Sequence, residues 1–192
     1  MDKKRCGWVS DDALYQDYHD NVWGRPVEDA QELFAKLCLD GQQAGLSWIT
    51  ILKKQANYEA LFHDFNPYKI AQMTPDDVER LMHEPGIVRN RLKIQSVIKN
   101  AHAFIKIENE GSFSDFLWDF VDHKTRVNQW RTLSDVPAST PESDAMAKAL
   151  KKRGFSFVGT TICYAFMQAV GMVNDHVVDC HCYEDTVALA KR

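Results

Sequence analysis

The feature that most constrains the fold of this sequence is a succession of apolar stripes at helical spacing, each preceded by a helix-start signal. Thr74-Pro75-Asp76-Asp77 and Thr140-Pro141 both place proline at the first helical position behind a capping hydroxyl. Asp29 stands before a segment over 29–40 whose apolar residues recur at intervals of three and four, with Glu32 where a capping box has its acid. Signals of this kind predict helices joined by turns.

The same patterns predict nine helices and a weakly helical tail. The predicted helices cover residues 10–19 (capped by Ser10), 29–40, 47–62, 66–73, 74–82, 90–109, 112–120, 140–153 and 157–172. Residues 122–139 are expected to be irregular, with VNQW extended, and no pair of strands is predicted. No repeat or linker divides the chain, so we predict an all-α fold in a single domain over 1–192, with room for a small second lobe.

Composition excludes several classes of protein. A hydrophobic content of 45% with 26% charged residues argues against disorder. The apolar runs are too short for a membrane span and the first residues lack a signal-peptide core, so we expect a cytoplasmic protein with no membrane partner. Five cysteines, an odd number without a secretory signal, favour reduced thiols or metal ligands over a disulfide framework.

The charge distribution does not decide whether the protein binds nucleic acid. The net charge of −4 argues against a generally basic binder. Between Glu84 and Glu108, however, there are five cations and no acid, and a second basic cluster covers 148–153. A solvated helix face explains either cluster as well as DNA does.

The stretch Leu37–Lys54 combines an isolated acid, two glycines and a tryptophan. Asp40 is the only charged residue between Lys36 and Lys53, and the glycines Gly41 and Gly45 allow a tight turn and a close approach. A carboxylate beside the stacking face of Trp48 can recognise a purine-like ring, and an apolar residue on the turn, Leu46, can wedge into a nucleic-acid stack. The alternative is that Asp40 is an ordinary turn residue and Trp48 part of the core.

Residues Val78–Lys93 join two predicted helices through a Pro-Gly turn. A glycine turn ahead of a helix N-terminus exposes backbone N–H groups that can hold a phosphate, and Arg89, Arg91 and Lys93 add charge beside it. The arrangement resembles a helix–hairpin–helix element, although Val88 stands where the common form has a second glycine. Turns like this also join helices with no role in binding.

Four metal-ligand candidates lie near the two ends of the chain. Cys6 and His19 are close to the N-terminus, and the His-x₃-Cys spacing of His176 and Cys180 puts two ligands one helical turn apart. Together they would form a closed, structural zinc site that joins the chain ends. Alternatively His176 and Cys180 form a local pair and Cys6 is a free buried thiol, or the neighbouring His181 and Cys182 take the place of these ligands.

Long stretches of the chain resemble the type I 3-methyladenine DNA glycosylases, a bacterial base-excision repair family. The resemblance covers nearly the whole chain, in RCGWVS, LCLDGQQAGLSWITILKK, LKKRGFSFVGTTICYAFMQA and NDHVV. It implies a helix–hairpin–helix glycosylase fold and one structural zinc ion held by Cys6, His19, His176 and Cys180. It also implies an enzyme, expected to be monomeric, that acts on double-stranded DNA containing 3-methyladenine, hydrolyses the N-glycosidic bond, and leaves an abasic site and free 3-methyladenine.

The resemblance also implies a role for each pocket residue. Methylation at N3 makes the base cationic, so the leaving group needs no protonation and the enzyme must chiefly unstack and hold it. Asp40 would accept hydrogen bonds from the base as the catalytic residue, Tyr18 and Trp48 would stack on its faces, and Trp8 would close the pocket. The family pattern usually has glutamate at the position of Asp40, so the reach of the carboxylate is shorter here by one methylene.

The contacts to DNA implied by the resemblance come from two turns. Leu46, behind Gly45, would fill the gap left by the flipped base, and the backbone near Gly86 with Arg89 and Lys93 would hold a phosphate. Two alternatives stand beside this interpretation. One is a zinc-stapled protein that recognises damage without turnover, and the other is a zinc hydrolase, which a closed Cys₂His₂ shell argues against.

Overall fold

The computed structural model describes residues 3–192, and these residues are mostly helical, as the sequence predicts. The helices are α1 (Ala13–Asn21), α2 (Ala30–Gln42), α3 (Trp48–Leu52), α4 (Gln55–Leu61), α5 (Pro67–Ile70), α6 (Pro75–Leu81), α7 (Arg91–Glu110), α8 (Phe113–Trp118), α9 (Pro141–Lys152), α10 (Thr160–Ala169) and α11 (Tyr183–Leu189). Short 3₁₀ turns cover His63–Phe65, Asp119–Val121 and Leu133–Asp135.

Most of the predicted start signals act as helix caps. Thr74 and Asp77 form a reciprocal capping box at α6, and Asp29 accepts a hydrogen bond from the N–H of Glu32 at α2. The prediction for α1 is wrong by a few residues, because its cap is Asp12 rather than Ser10. The Asp12 carboxylate accepts from two backbone N–H groups of the first turn, which the shorter serine side chain two residues earlier does not do.

Two predicted helices differ from those observed. The single helix expected over 47–62 is divided into α3 and α4, because the N–H of Lys54 bonds to the carbonyl of Ile51 and tightens the end of the first segment. The helix expected over 157–172 is limited to α10. Phe157 adopts a left-handed φ of 55° before its start, and Gly171 adopts a φ of 72° after its end.

A two-residue parallel strand pair corrects the expectation that the chain has no strands. β1 (Arg126–Val127) pairs with β2 (Val173–Asn174) in parallel, and this pairing anchors the otherwise irregular segment 122–139 to the C-terminal part of the chain. Of the segment VNQW, which was expected to be extended, only Val127 belongs to a strand. Pairing between segments more than 40 residues apart leaves no local periodicity in a sequence.

Two apolar clusters make up the interior. The larger cluster lies among α2, α7 and α10, with Leu37, Val97 and Phe166 buried in it. The smaller cluster joins the N-terminal segment to the C-terminal one through Cys6, Tyr18 and Cys180. Trp48 packs against both, so the site described below lies at the junction of the two clusters. Among the described residues, none of the helices has the length and apolarity needed to cross a lipid bilayer.

Gly171 offers a test of the junction between α10 and the N-terminal segment. An added Cβ would lie 2.4 Å from the backbone nitrogen of Pro26, and φ is +72°, so alanine meets both a backbone clash and a strained conformation. We expect Gly171→Ala to lower the free energy of unfolding by about 3 kcal/mol or more, and the melting temperature by roughly 6–12 °C.

Thermal and urea denaturation would measure this loss. Gly111→Ala is the matched control, because its backbone is extended and a Cβ there meets no atom within 4 Å. Equal stability of the two variants would contradict the proposed close approach.

Candidate functional site

A cavity of about 230 Å³ lies where the two apolar clusters meet. It is smaller than the roughly 300 Å³ at which pockets for drug-sized molecules begin, so it suits a single flat ring system. Five of its fifteen lining residues are aromatic, and the lining also includes two buried carboxylates and one lysine. The cavity lining includes Trp8, Tyr18, Trp48, Asp40, Asp175 and Lys36.

Asp40 gives the cavity a free hydrogen-bond acceptor. Its side chain is 2% exposed, and its Oδ1 accepts a hydrogen bond from the Nζ of Lys36 at 2.7 Å. Its Oδ2 has no hydrogen-bond partner among the described residues. Burial raises the pKa of this carboxyl, while the neighbouring Lys36 ammonium acts in the opposite direction. A buried acceptor without a partner is costly unless a ligand supplies the donor.

The three aromatic residues singled out in the sequence form one wall of the cavity. The ring centroids of Tyr18 and Trp48 are 5.5 Å apart with an interplanar angle of 42°, and Trp8 lies 6.5 Å from Tyr18. A ring between two stacking partners needs about 7 Å between them, twice the optimal carbon–carbon contact distance. The expected sandwich between Tyr18 and Trp48 therefore has no open slot in this structure. The indole Nε1 of Trp48 is a buried donor without an acceptor in the described part of the chain.

Asp175 is a second buried carboxylate on the cavity wall, and the sequence does not predict its role. Its Oδ1 accepts from Asn128 at 2.7 Å and from the indole N–H of Trp130 at 2.8 Å. Its Oδ2 accepts from the Tyr164 hydroxyl and, at 2.9 Å, from Gln168. Because its acceptor positions are filled, this carboxylate fixes the wall of the cavity. Three of its four donors lie more than ten residues from Asp175 in the sequence, so no local pattern indicates the role.

The four predicted metal ligands come together in the smaller apolar cluster. Cys6, His19, His176 and Cys180 are all buried, and their ligand atoms lie within 4.8 Å of one another. The Sγ–N distances are 3.6 Å from Cys6 to His176 and 3.5 Å from Cys180 to each histidine. Tetrahedral zinc with Zn–S of about 2.3 Å and Zn–N of about 2.05 Å requires Sγ–N distances of about 3.6 Å, so this donor set fits zinc.

Hydrogen bonds from outside this cluster orient both histidines. The Nδ1 of His19 lies 2.8 Å from Asp20, whose carboxylate is held in turn by the Arg5 guanidinium at 2.9 and 2.7 Å. The Nε2 of His176 lies 3.2 Å from the carbonyl of Trp23. Each ring therefore directs its other nitrogen to the cysteines. Metal-bound histidines are oriented in the same way by a hydrogen bond from the ring nitrogen that does not bind the metal.

The alternative ligands named from the sequence form a neighbouring group. His181 and Cys182 lie with His19 and Asp20 within the same 4.8 Å limit, but His181 and Asp20 are only partly buried. The Asp20 carboxylate is already paired with Arg5 and His181. The four-residue set at the chain ends is therefore the better-formed metal site.

The predicted Pro-Gly turn joins α6 to α7. Its Gly86 is needed for packing, because a Cβ there would lie 2.9 Å from the side chain of Asn57, which donates a hydrogen bond to the Gly86 carbonyl. Arg89 is exposed beside the turn, while Arg91 forms an ion pair with Glu79. Asn90 caps α7 by accepting from the N–H of Lys93.

The expectation that Lys93 contacts a phosphate is not met, because its ammonium is bonded inside the protein. Its side chain is 6% exposed, and its Nζ donates to the carbonyls of Gln42 at 2.8 Å and Ala44 at 2.5 Å. The ammonium therefore closes the C-terminal end of α2 and has no free donor face turned to solvent. A lysine in a basic cluster gives no sequence signal of this role, because its partners are backbone atoms about 50 residues away.

Of the two glycines expected in the turn after α2, only Gly45 lies there. Gly41 lies inside α2 instead, where a Cβ would come within 3.2 Å of Phe157. Gly45 has a φ of +79° and open space around it, and the following Leu46 is 41% exposed. An exposed leucine on a turn beside the cavity agrees with the position expected for a wedge.

A buried polar chain connects the hairpin to α2. The Val88 N–H donates to the Tyr58 hydroxyl at 3.1 Å, which donates to the Oε1 of Gln42 at 3.2 Å. The Nε2 of Gln42 then donates to the carbonyl of Lys93 at 2.9 Å. The turn before α7 and the first turn of α7 are therefore tied to the helix that carries Asp40.

These features define a helical protein with a ring-sized aromatic cavity beside a buried Cys₂His₂ cluster. Comparison with known proteins gives the family: the methyladenine glycosylase profile matches residues 8–183. DNA-3-methyladenine glycosylase 1 of Escherichia coli (strain K12) is 61% identical over 181 residues, which is 94% of this chain and 97% of that protein. The chain belongs to the methyladenine glycosylase family.

Solved structures agree with this assignment. A crystal structure of 3-methyladenine DNA glycosylase I (TAG) superimposes with a TM-score of 0.93 at 58% identity, covering 94% of this chain and all of that one. A structure of 3-methyladenine DNA glycosylase I from Staphylococcus aureus, concerned with recognition of 3-methyladenine, gives a TM-score of 0.91 at 42% identity, covering 93% and 96% of the two chains.

Tyr58 tests whether the polar chain fixes the hairpin. Burial raises the pKa of its hydroxyl to about 12, so the neutral O–H is the group that bonds to both partners. In Tyr58→Phe the Val88 N–H and the Gln42 amide lose a partner, and we expect a loss of about 1–3 kcal/mol in the free energy of unfolding. Hydrogen exchange should be faster at the Val88 amide.

Tyr68→Phe is the control for this variant, because Tyr68 is 52% exposed. Unchanged exchange at Val88 in Tyr58→Phe would mean that the hairpin does not depend on this bond.

Proposed function

We propose that this chain is a DNA-3-methyladenine glycosylase that hydrolyses the N-glycosidic bond of 3-methyladenine in alkylated DNA during base-excision repair. The observation that carries the proposal is the unpartnered Oδ2 of Asp40 in a ring-sized aromatic cavity. The relatives named above support the substrate, since their names state an action on 3-methyladenine. We also propose that the protein is cytoplasmic and monomeric, as expected from its sequence.

The chemistry requires little from the protein beyond binding. Methylation at N3 leaves the base positively charged while it is attached to the sugar, so it departs as a neutral molecule without being protonated. The enzyme lowers the barrier by extruding the nucleotide and by stabilising the partly dissociated state. A buried carboxylate serves this purpose, because its negative charge favours the positive charge that develops on the sugar as the base departs.

Three groups in the cavity would recognise the base. Asp40 accepts hydrogen bonds from its N–H edge, and the indole N–H of Trp48 is a further free donor. The rings of Tyr18, Trp48 and Trp8 supply stacking surface, worth roughly 1–3 kcal/mol for each base–aromatic contact. Since the rings of Tyr18 and Trp48 are too close to admit a third ring between them, the base either stacks in the corner that they form or separates them.

The DNA contacts are assigned to two turns. The turn containing Gly86 serves as a helix–hairpin–helix element, with backbone N–H groups and the exposed Arg89 at a phosphate. Leu46, presented by Gly45, enters the space that the flipped nucleotide leaves. Lys93 acts indirectly, since it holds the loop that carries Leu46 through the carbonyl of Ala44.

The Cys₂His₂ cluster is assigned to one structural zinc ion held by Cys6, His19, His176 and Cys180. The support is the donor chemistry and the Sγ–N distances of 3.5–3.6 Å. When bound, zinc would supply a cross-link between the chain ends and would hold the thiolates without an open coordination position. The N-terminal segment between Cys6 and His19 carries Trp8 and Tyr18, so the cluster supports one wall of the cavity.

The role of Asp40 is tested by Asp40→Ala. We expect release of 3-methyladenine from methylated DNA to fall roughly 10- to 100-fold, because a hydrogen bond to a charged acceptor contributes about 1.5–3 kcal/mol. The measurement is chromatography of bases released from methylated duplex DNA. Circular dichroism should show that the helical fold survives.

Asp119→Ala is the control, since its side chain is 82% exposed and lies outside the cavity. Release at the parental rate by Asp40→Ala would refute the role of this residue. Binding of methylated DNA by the parent with no release of base would instead identify a damage-recognition protein without turnover.

The zinc assignment is tested with two cysteines that are two residues apart. We expect Cys180→Ser to lose a bound zinc ion and to unfold at a lower temperature, because the metal joins both chain ends. Cys182→Ser should retain one zinc ion per chain. Elemental analysis of the purified proteins measures the metal content, and the opposite result would assign the ion to the group that contains His181 and Cys182.

A further inference from the structure

The cavity contains a cation that belongs to the protein itself. Lys36 lies one turn before Asp40 on α2, and its Nζ is 2.7 Å from the Oδ1 of Asp40. The same Nζ lies 3.3 Å from the centroid of the Trp48 ring and 5.6 Å from that of Tyr18. The Lys36 side chain is 15% exposed. The ammonium therefore covers one face of Trp48 and one oxygen of Asp40.

A stacked ring and this ammonium exclude each other on that face of Trp48. Stacked aromatic atoms lie about 3.5 Å from the ring beneath them, which is the layer in which the Lys36 Nζ lies. A base that stacks there and bonds to both oxygens of Asp40 must displace the ammonium. The lysine stem is flexible and not fully buried, so the ammonium can swing outward.

On the basis of the proposed function, we propose that Lys36 is a specificity-determining residue whose ammonium occupies the place of the methylated base and must move aside before the base binds. Two consequences follow. The apparent affinity for any base is reduced to the fraction of molecules in which the ammonium has moved. The displaced ammonium remains near the cavity, so it repels a cationic purine more than a neutral one.

The surroundings of the ion pair agree with an internal competitor. Burial lowers the pKa of Lys36 and raises that of Asp40, and in each case the partner opposes the shift. The two charges therefore stabilise each other in the empty cavity. A cation over an indole face is a favourable contact, and this contact is the one that a cationic base would otherwise make.

Binding measurements with the variant Lys36→Met test the proposal. The probes are 3-methyladenine, which is neutral, and 3,9-dimethyladeninium, a permanent cation that imitates the base attached through N9. By calorimetry at pH 8, we expect Lys36→Met to bind 3-methyladenine about tenfold more tightly than the parent, which corresponds to an open cavity in about one parent molecule in ten. Affinity for the cation should rise by a larger factor. An alkaline pH is used because removing the ammonium raises the pKa of the Asp40 carboxyl.

Two controls separate competition from a structural role. Lys36→Arg retains a cation over Trp48, so its preference between the two probes should match that of the parent. Lys69→Met makes the same change at an exposed lysine outside the cavity and should leave both affinities unchanged. Weaker binding of both probes by a folded Lys36→Met would overturn the proposal, since that is the result of losing a merely structural ion pair.

Labelling of the parent protein covers the case in which Lys36→Met fails to fold. Reductive methylation followed by mass spectrometry reports the accessibility of each lysine amine. If the base displaces the ammonium, labelling of Lys36 should rise in saturating 3-methyladenine relative to that of Lys69. Unchanged or reduced labelling would show that the ammonium stays in place and would overturn the proposal.

Failure of the proposal for Lys36 and failure of the proposed function give different results. A parent protein that neither binds 3-methyladenine nor releases it from methylated DNA would contradict the proposed function. A parent that does both, with no gain in affinity in Lys36→Met, would contradict only the role of Lys36.

Discussion

The site depends on one buried cation that closes the C-terminal end of α2. The Lys93 ammonium donates to the carbonyl of Gln42, which the last turn of a helix leaves without an intrahelical partner, and to that of Ala44 in the turn that follows. Asp40 lies just before this point and Leu46 just after it, while Lys93 itself begins the second helix of the hairpin. The group that recognises the base and the two turns assigned to DNA therefore share one support, and their relative positions are set together.

Polar side chains fix the opposite wall of the cavity in a similar way. Asp175 collects four hydrogen bonds from segments that include the strand-linked region and α10, and its neighbour His176 belongs to the Cys₂His₂ cluster. Part of the cavity wall is thus held by a rigid polar arrangement. Such preorganisation suits a reaction in which binding does most of the chemical work, because donors and charges need little reorganisation when the base arrives.

The sequence predicts what is encoded locally. Helix caps, apolar stripes and the hairpin turn were found because their signals lie within a few residues of one another. Asp40, the aromatic residues and the metal ligands were recognised through motifs that resemble a known family. Lys93 and Asp175 were not predicted in their observed roles, because their partners lie far away in sequence. No sequence pattern indicates a role for Lys36, since only the folded chain brings its ammonium over Trp48.

The link between the chain ends determines when the cavity can exist. His19 and Cys180 are 161 residues apart, and the segment that carries Trp8 and Tyr18 is fastened to the remainder through them. Chains are synthesised from the N-terminus, so the aromatic segment must wait for residues near position 180 to leave the ribosome. A nascent chain therefore has no closed cavity with which to engage DNA prematurely, and products of early termination contain the aromatic residues but lack the C-terminal partners that hold them in place.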